Sequence, residues 1–311
     1  MRAHSLASVR LLAIAVLLLG MAAAPTHVRA QADVTPPDTV ITETPPNPQT
    51  YSAQFVFTGS DNVTPPEQLT FECSLDGEPF AACASPYEVM DLLPGDHLFQ
   101  LRAVDAALNA DPTPAAFTWE VRPLCGFDTA TIYVDWMGFI RGGPNNGSPY
   151  LGLLAGTGGA DIIVGSPFND TIEAAGGADI VCALAGDDVV NAGAGADTVY
   201  GMDGADTVNG AGGNDNLNGG TGFDTLNGDA GADTLNGFLG NDSLNGGGDN
   251  DTLIGGPRVL PEGASDDDSL HGQGGSDRLT GGIGADFFSG GPGADTNTDL
   301  NPAQFDTTDG S

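Results

Sequence analysis

The chain has no lysine, and its eight arginines stand against 42 acidic residues, for a formal net charge of −34. Acidity on that scale excludes electrostatic capture of nucleic acid or of anionic membranes. Histidine is almost as scarce: His4, His27, His97 and His271 are the whole set. No His-Glu-x-x-His and no Gly-x-Ser-x-Gly elbow is present, so zinc-protease and serine-hydrolase chemistry of those types is excluded. His97 follows Pro94-Gly95 and reads as a turn residue rather than a base. Long apolar runs are missing except Leu11 to Ala24, which is too short for a comfortable membrane span. With Arg2 and Arg10 before it and Val28-Arg29-Ala30 after it, that run has the three parts of a secretory signal peptide, 1–30, with cleavage expected after Ala30. No cysteine directly follows the run, so a lipid anchor is not expected, and the mature chain should be soluble and exported, released or held at the cell surface.

Aspartate is abundant, and it is periodic. It stands at Asp161, Asp170, Asp179, Asp188, Asp197, Asp206, Asp215, Asp224, Asp233, Asp242 and Asp251, nine residues apart. After an eight-residue insertion, Arg258 to Ser265, the series resumes at Asp268, Asp277, Asp286 and Asp295. Two residues after each Asp except the last is an apolar side chain, from Ile163 and Ile172 through Leu226 and Leu235 to Leu279 and Phe288. Two residues before each Asp there is usually glycine. A short fixed period of this kind signals a stacked-repeat architecture.

The unit running from Gly219 to Asn227 is the cleanest copy: six residues of Gly-rich turn, then Thr225-Leu226-Asn227 as strand. In a strand triplet the middle side chain points in and its neighbours point out. Two units make one flattened coil, and coils stacked at the strand spacing give a rod on the order of 35 Å long. One apolar residue in nine is a thin interior, too little to offset the ordering entropy of so much glycine. Turns two units apart share an edge, so Asp161, Asp179 and Asp197 begin one row, and Asp170, Asp188 and Asp206 the other. Like charges about 5 Å apart repel by roughly 0.8 kcal/mol per pair even in water. A hard cation bound by carboxylates and turn carbonyls would remove that repulsion, and calcium, taking six to eight oxygens, suits the gap.

These nonapeptides resemble the GGxGxDxUx repeats of the RTX (repeats-in-toxin), or hemolysin-type, calcium-binding family, over about Gly156 to Thr298. The resemblance implies a parallel β-roll with Ca2+ between successive turns of one edge, and the fifteen aspartates of the register as metal ligands. From Ala155 onward there are 24 Asp, two Glu and two Arg, a net charge of about −24. With eight turns on one edge and seven on the other, at most thirteen inter-turn sites exist, and thirteen divalent ions would bring about +26, a near balance with that charge. A solvated acidic solenoid without metal is the alternative. Several units depart from the family pattern. Phe168 and Asp249 replace the second conserved glycine, Leu184, Met202 and Phe238 replace the small residue at position two, and Ala174 and Ala183 replace the opening glycine. Fewer than thirteen ions are therefore expected. Asn297 closes the rod where an apolar residue belongs, and Gly152 and Leu154 keep the phase upstream without an Asp. A metal-free first coil and a cap with strands at Thr131 to Val134 and Phe139-Ile140 are expected. In Asp266-Asp267-Asp268 the expectation is an enlarged calcium turn rather than paired catalytic carboxylates.

Four cysteines suit an oxidising compartment. Cys73 and Cys83 flank a hairpin at Leu75-Asp76-Gly77 and should pair. Cys182 points outward from its triplet, so its partner lies outside the coil, and Cys125 is the one remaining. Between Asp33 and Arg122, short alternating segments (Phe55/Phe57, Phe71/Cys73/Leu75, Phe99/Leu101/Ala103, Phe117/Trp119/Val121) predict an antiparallel sandwich. The stretches FECSLDGEPFAAC and PGDHLFQLRAVDAALNADPTPAAFTWEV resemble a bacterial immunoglobulin-like module, with Leu108 where its last turn usually has Gly. Asp105, Asn109 and Asp111 there are expected to build a turn rather than a metal site. Pro36-Pro37 and Pro45-Pro46 suggest stiff linker.

The reading is an all-β chain: signal peptide 1–30, Ig-like β-sandwich 31–122, linker and cap 123–155, parallel β-roll (β-solenoid) 156–298 and polar tail 299–311. Its expected role is that of a secreted, non-catalytic, calcium-binding structural or adhesive protein. The alternatives are a calcium-rigidified adhesin that binds an extracellular or cell-surface glycan or protein, and an unrecognised hydrolase.

Overall fold

The structure, a computed structural model, describes residues 33–46, 51–135, 137–257, 266–298 and 307–308. The expected signal peptide, the insertion and most of the tail lie outside them. Apart from one 3-10 turn at Pro66–Gln68, the described secondary structure is all strand.

Seven strands build the antiparallel part: β1 (Asp38–Glu43), β2 (Ala53–Ser60), β3 (Thr70–Leu75), β4 (Ala81–Cys83), β5 (Tyr87–Val89), β6 (Gly95–Val104) and β7 (Ala115–Val121). They form two sheets, in the orders β1-β2-β5 and β4-β3-β6-β7. The alternation in the sequence is the cause. In β6, His97, Phe99, Leu101 and Ala103 are buried while the residues between them face outward. Phe55 from one sheet stacks on Phe99 of the other at 4.1 Å and meets Trp119 edge-on at 5.2 Å, so the two sheets share one core. Cys73–Cys83 ties β3 to β4.

The cap consists of two short antiparallel pairs, Leu124–Cys125 with Asp128–Thr129 and Tyr133–Val134 with Ile140–Arg141. Ile132 bridges to Ile163 in parallel, so the cap leads straight into the first coils. Tyr133 donates its hydroxyl to Glu120 at 2.9 Å, and Arg141 bonds both Asp96 and Asp135. Cys125–Cys182 is formed, which fastens the cap to the outer side of the roll.

From Leu153–Ala155 onward, strands alternate between a nine-stranded and an eight-stranded sheet, each strand pairing in parallel with the one two units away. Leu154 to Phe288 form one continuous inner column, each apolar residue of the register no more than 1% exposed. The expected first coil without a register Asp is present: Leu153–Ala155 pairs with Thr171–Glu173. Two expectations need correction. Strands through most of the roll are six residues long rather than three, as in Thr198–Asp203 and Asn216–Thr221. Position two of the unit takes positive φ (Met202 80°, Gly220 124°), which bends the chain while position three still pairs with the next coil. The pairing also continues past Asn297, where Thr307–Thr308 adds a last strand beside Phe287–Ser289.

The two outer faces differ. On the nine-stranded sheet, side-chain amides form a ladder in which Asn191 donates to Glu173, Asn209 to Asn191, Asn227 to Asn209 and Asn245 to Asn227, at 2.8–2.9 Å. On the eight-stranded sheet, the same face carries Leu184, Met202 and Phe238 in one register row, with Tyr200 and Leu239 beside it.

Candidate metal centre

Each register Asp follows a glycine-rich turn, and the tight stacking of turns explains the glycine. Gly213 has φ 138°, and a Cβ on it would collide with the Gly195 carbonyl of the coil before. Backbones that close bring every Asp against the preceding coil. Asp179 Oδ1 accepts the N–H of Asp161 at 2.7 Å, Asp188 that of Asp170, and so along both edges. Thirteen such bonds of 2.7–2.9 Å run from Asp161 and Asp170 to Asp286 and Asp295, crossing the insertion at Asp242–Asp268 and Asp251–Asp277. The edge pairing of units two apart is therefore correct.

The second carboxylate oxygen is the informative one. Oδ2 of Asp179, Asp188, Asp197, Asp206, Asp215, Asp224, Asp233, Asp242, Asp251, Asp268 and Asp277 is buried with no hydrogen-bond partner, on residues only 1–2% exposed. Leaving a buried charged oxygen unpaired costs several kcal/mol or forces its protonation. Beside it lies a backbone carbonyl: a Cβ on Gly228 would meet both Asp233 Oδ2 and the Gly246 carbonyl (2.6 Å), and Gly201, Gly210, Gly237 and Gly272 repeat the arrangement. An own-turn carboxylate and a next-coil carbonyl thus converge on a space that only glycine keeps open. Ala174, Ala183 and Ala192 take that position in the early coils. Sulfur and nitrogen donors are absent from these cradles, and an oxygen-only set fits a hard divalent cation such as calcium.

The electrostatics agree. Burial, reinforced by neighbouring carboxylates, pushes Asp170, Asp224 and Asp251 up to about 7 and Asp206, Asp215 and Asp242 up to about 6. Asp268, buried and with Asp242, Asp266 and Asp286 around it, rises to about 9. Burial also raises Asp179, Asp188, Asp197, Asp233 and Asp277.

The first turns differ in a way the register alone did not reveal. Asp161 Oδ2 accepts the N–H and hydroxyl of Thr157 at 2.7 and 2.8 Å, and Ser166 serves Asp170 with its N–H and hydroxyl. A hydroxyl at position two is the signal that marks these carboxylates as satisfied by the protein. Asp295 closes the row, accepting from Asp277 at 2.9 Å.

In the antiparallel part, Asp105 accepts from the Asn109 N–H and side-chain amide, both at 2.7 Å, and Asp111 from Thr113, which is turn chemistry. Asp105 converges instead with Asp33 and Asp61, their ligand oxygens within 4.8 Å of one another.

A family model for the RTX calcium-binding nonapeptide repeat (4 copies) matches residues 155–190, 183–217, 209–237, 218–253 and 262–296. No curated protein matches the chain. With the parallel coils, the two aspartate rows and the oxygen cradles in place, residues 155–296 are RTX calcium-binding nonapeptide repeats wound into a β-roll.

Proposed function

We propose that this is an exported, non-catalytic protein whose roll folds on binding Ca2+ and serves as a structural or adhesive module. The observation that carries the reading is the pair of rows of buried, unpartnered Asp Oδ2 atoms, with a backbone carbonyl of the next coil beside those of Asp206, Asp215, Asp233, Asp242, Asp268 and Asp277. The register aspartates from Asp161 to Asp295 are the ligand set, with the weakest members being the self-satisfied Asp161 and Asp170 and then Asp179, Asp188 and Asp197, whose turns carry an alanine where glycine keeps the cradle open. Calcium binds the stacked coils and not the unfolded chain, so binding and folding are one equilibrium. An affinity of about 10⁻⁴ to 10⁻³ M, usual for extracellular modules, would leave the roll unfolded in the cell and folded outside it. The signal-like N-terminus and the two disulfides support export. The sheet orders β1-β2-β5 and β4-β3-β6-β7 support the immunoglobulin-like reading of the antiparallel part.

The test is a calcium titration of the chelator-treated mature chain, followed by far-UV circular dichroism with magnesium as control. A cooperative gain of β signal between sub-millimolar and millimolar calcium, absent with magnesium, is expected. A roll already folded in chelator, or unresponsive to calcium, would return the acidic-solenoid alternative.

A second reading, a binding module for an extracellular glycan or protein, is favoured by one feature of the roll. Gly220 falls between Met202 and Phe238 and opens a hollow of about 290 Å³ lined by Tyr200, Asp203 and Leu239. The asparagine ladder on the other face is occupied with bonds between coils. Glycan-array binding that survives removal of 33–122 and is lost on Tyr200→Ala would support this face; binding lost with 33–122 would assign it to the antiparallel module.

A further inference from the structure

The insertion interrupts more than the count of nine. In an unbroken turn, the fourth residue of the unit donates its N–H to a main-chain carbonyl of the next coil: Gly204 to Thr221 at 2.9 Å, Gly222 to Leu239 at 2.8 Å. Gly240 has the same place in its unit but donates to a side chain, Asp266 Oδ1, at 2.7 Å. Asp266 itself stands at the fourth position, where Gly222, Gly231, Gly240, Gly275 and Gly284 stand in other units. It is 1% exposed, and its Oδ2 has no hydrogen-bond partner. That oxygen lies against Gly256, where a Cβ would meet it together with the Phe238 carbonyl at 2.8 Å. On the adjoining residue, a Cβ at Gly255 would meet Asp268 Oδ2 and the Gly281 carbonyl at 2.6 Å. Two neighbouring glycines therefore make room for two unpartnered carboxylate oxygens in one turn. Regular turns such as that of Asp233 present one.

We propose that Asp266 is an additional calcium ligand, and that with Asp268 it makes the turn at the insertion a two-carboxylate site that fills before the other turns of the roll. The inference rests on the calcium reading of the repeats. Its physical basis is ligand charge count: in a fixed oxygen cradle a second carboxylate tightens the hold on a divalent cation. The consequence is positional. The coils after the insertion, which carry Asp268, Asp277, Asp286 and Asp295, are joined to the earlier ones across a turn in which one main-chain bond, that of the Gly240 N–H, is replaced by the Asp266 carboxylate. An early-filling ion at that turn would hold the two halves of the roll in register.

The experiment compares calcium binding by isothermal calorimetry in the full mature chain, in Asp266→Asn, in Asp266→Gly and in Asp267→Asn. Asp266→Asn keeps an oxygen for the Gly240 N–H, and Asp266→Gly installs the residue usual at that position. Asp267 is exposed and its Oδ1 accepts from Ala285, so its substitution controls for charge alone. Circular dichroism at saturating calcium establishes that each variant folds. The expected result is that both Asp266 variants weaken the tightest calcium-binding step by about tenfold, and that Asp267→Asn leaves it unchanged. Hydrogen exchange at low calcium should then show residues 268–288 losing protection first in the Asp266 variants. If wild type binds calcium and the Asp266 titrations superimpose on it, or if Asp267→Asn weakens the step equally, the proposal is overturned. If wild type binds no calcium, it is the calcium reading itself that fails.

Discussion

The antiparallel part and the roll solve the same problem with different materials. In the first, large side chains fill the space between two sheets, with Phe55, Phe99 and Trp119 among those fully or almost fully buried. Its buried histidine is paired at both nitrogens, His97 Nδ1 with Asp76 at 2.8 Å and Nε2 with the Leu93 carbonyl at 2.7 Å. In the roll, most units bury one apolar side chain and one carboxylate, and from Asp179 to Asp277 that register carboxylate keeps one oxygen without a protein partner. The first region carries its stability in its own side chains. On the proposed reading, the second leaves the unpaired oxygens to an ion, and its stability becomes a function of what the surroundings supply.

Removing the ion while varying pH should divide the two regions most sharply. Burial raises the folded-state pKa of Asp170, Asp206, Asp215, Asp224, Asp242 and Asp251 to about 6 to 7, above the ordinary 3.8. Without calcium, the penalty for charging these six carboxylates in the folded roll is therefore full above pH 7, and that for Asp268 only above about 9. It falls away as pH drops through 7 and 6 towards 3.8. In chelator, hydrogen exchange across 162–288 should be complete within seconds at pH 8, while 53–121 stays protected. Acidification to about pH 4.5 should restore β signal to the chelated roll, whereas with calcium present the same acidification should release ions. Equal protection of both regions at pH 8 in chelator would erase the contrast between the antiparallel part and the roll.

A smaller effect should follow from opening Cys125–Cys182, which joins residues 57 apart. The chain-entropy estimate for a loop of that size is about 4 kcal/mol. Replacing both cysteines by alanine should raise exchange in 133–141 and 162–164 and leave 207–254 unchanged. Uniform loosening along the roll would mean that the cap governs the whole stack rather than its first coils.

The smallest effect concerns the two faces of the roll. Phe238 stands at φ 75°, a conformation that disfavours any side chain with a Cβ by roughly 1–2 kcal/mol, and it is 43% exposed. Phe238→Gly should stabilise the calcium-loaded protein by about 1 kcal/mol, read as a rise in Tm. A fall in Tm would show that the ring's packing exceeds the strain of its backbone.

Much of this was legible in the residues. A nine-residue register specifies which side chain points inward and which turns share an edge, because alternation and stacking leave little choice. The Cys125–Cys182 bridge followed from Cys182 facing out of its coil. Strand length was not legible, because whether position three pairs depends on the φ of position two, and Met202 or Phe238 there gives no sign of left-handed backbone. The satisfied state of Asp161 and Asp170 depended on hydroxyls at Thr157 and Ser166, which in the sequence are two more small polar residues in a turn. Asp266 could be placed in an enlarged turn, but its replacement of a main-chain carbonyl required the geometry of that turn.

The carboxylate-to-amide bonds between residues 18 apart have a consequence for how the molecule can change its length. Excising Gly210 to Asn227 would bring each remaining residue onto a partner of its own kind, giving a shorter rod with the same contacts. Excising half as much would rotate everything downstream by half a coil and set the asparagine column in line with Tyr200. The roll can thus gain or lose whole coils and remain itself, and its natural unit of variation is the pair of repeats.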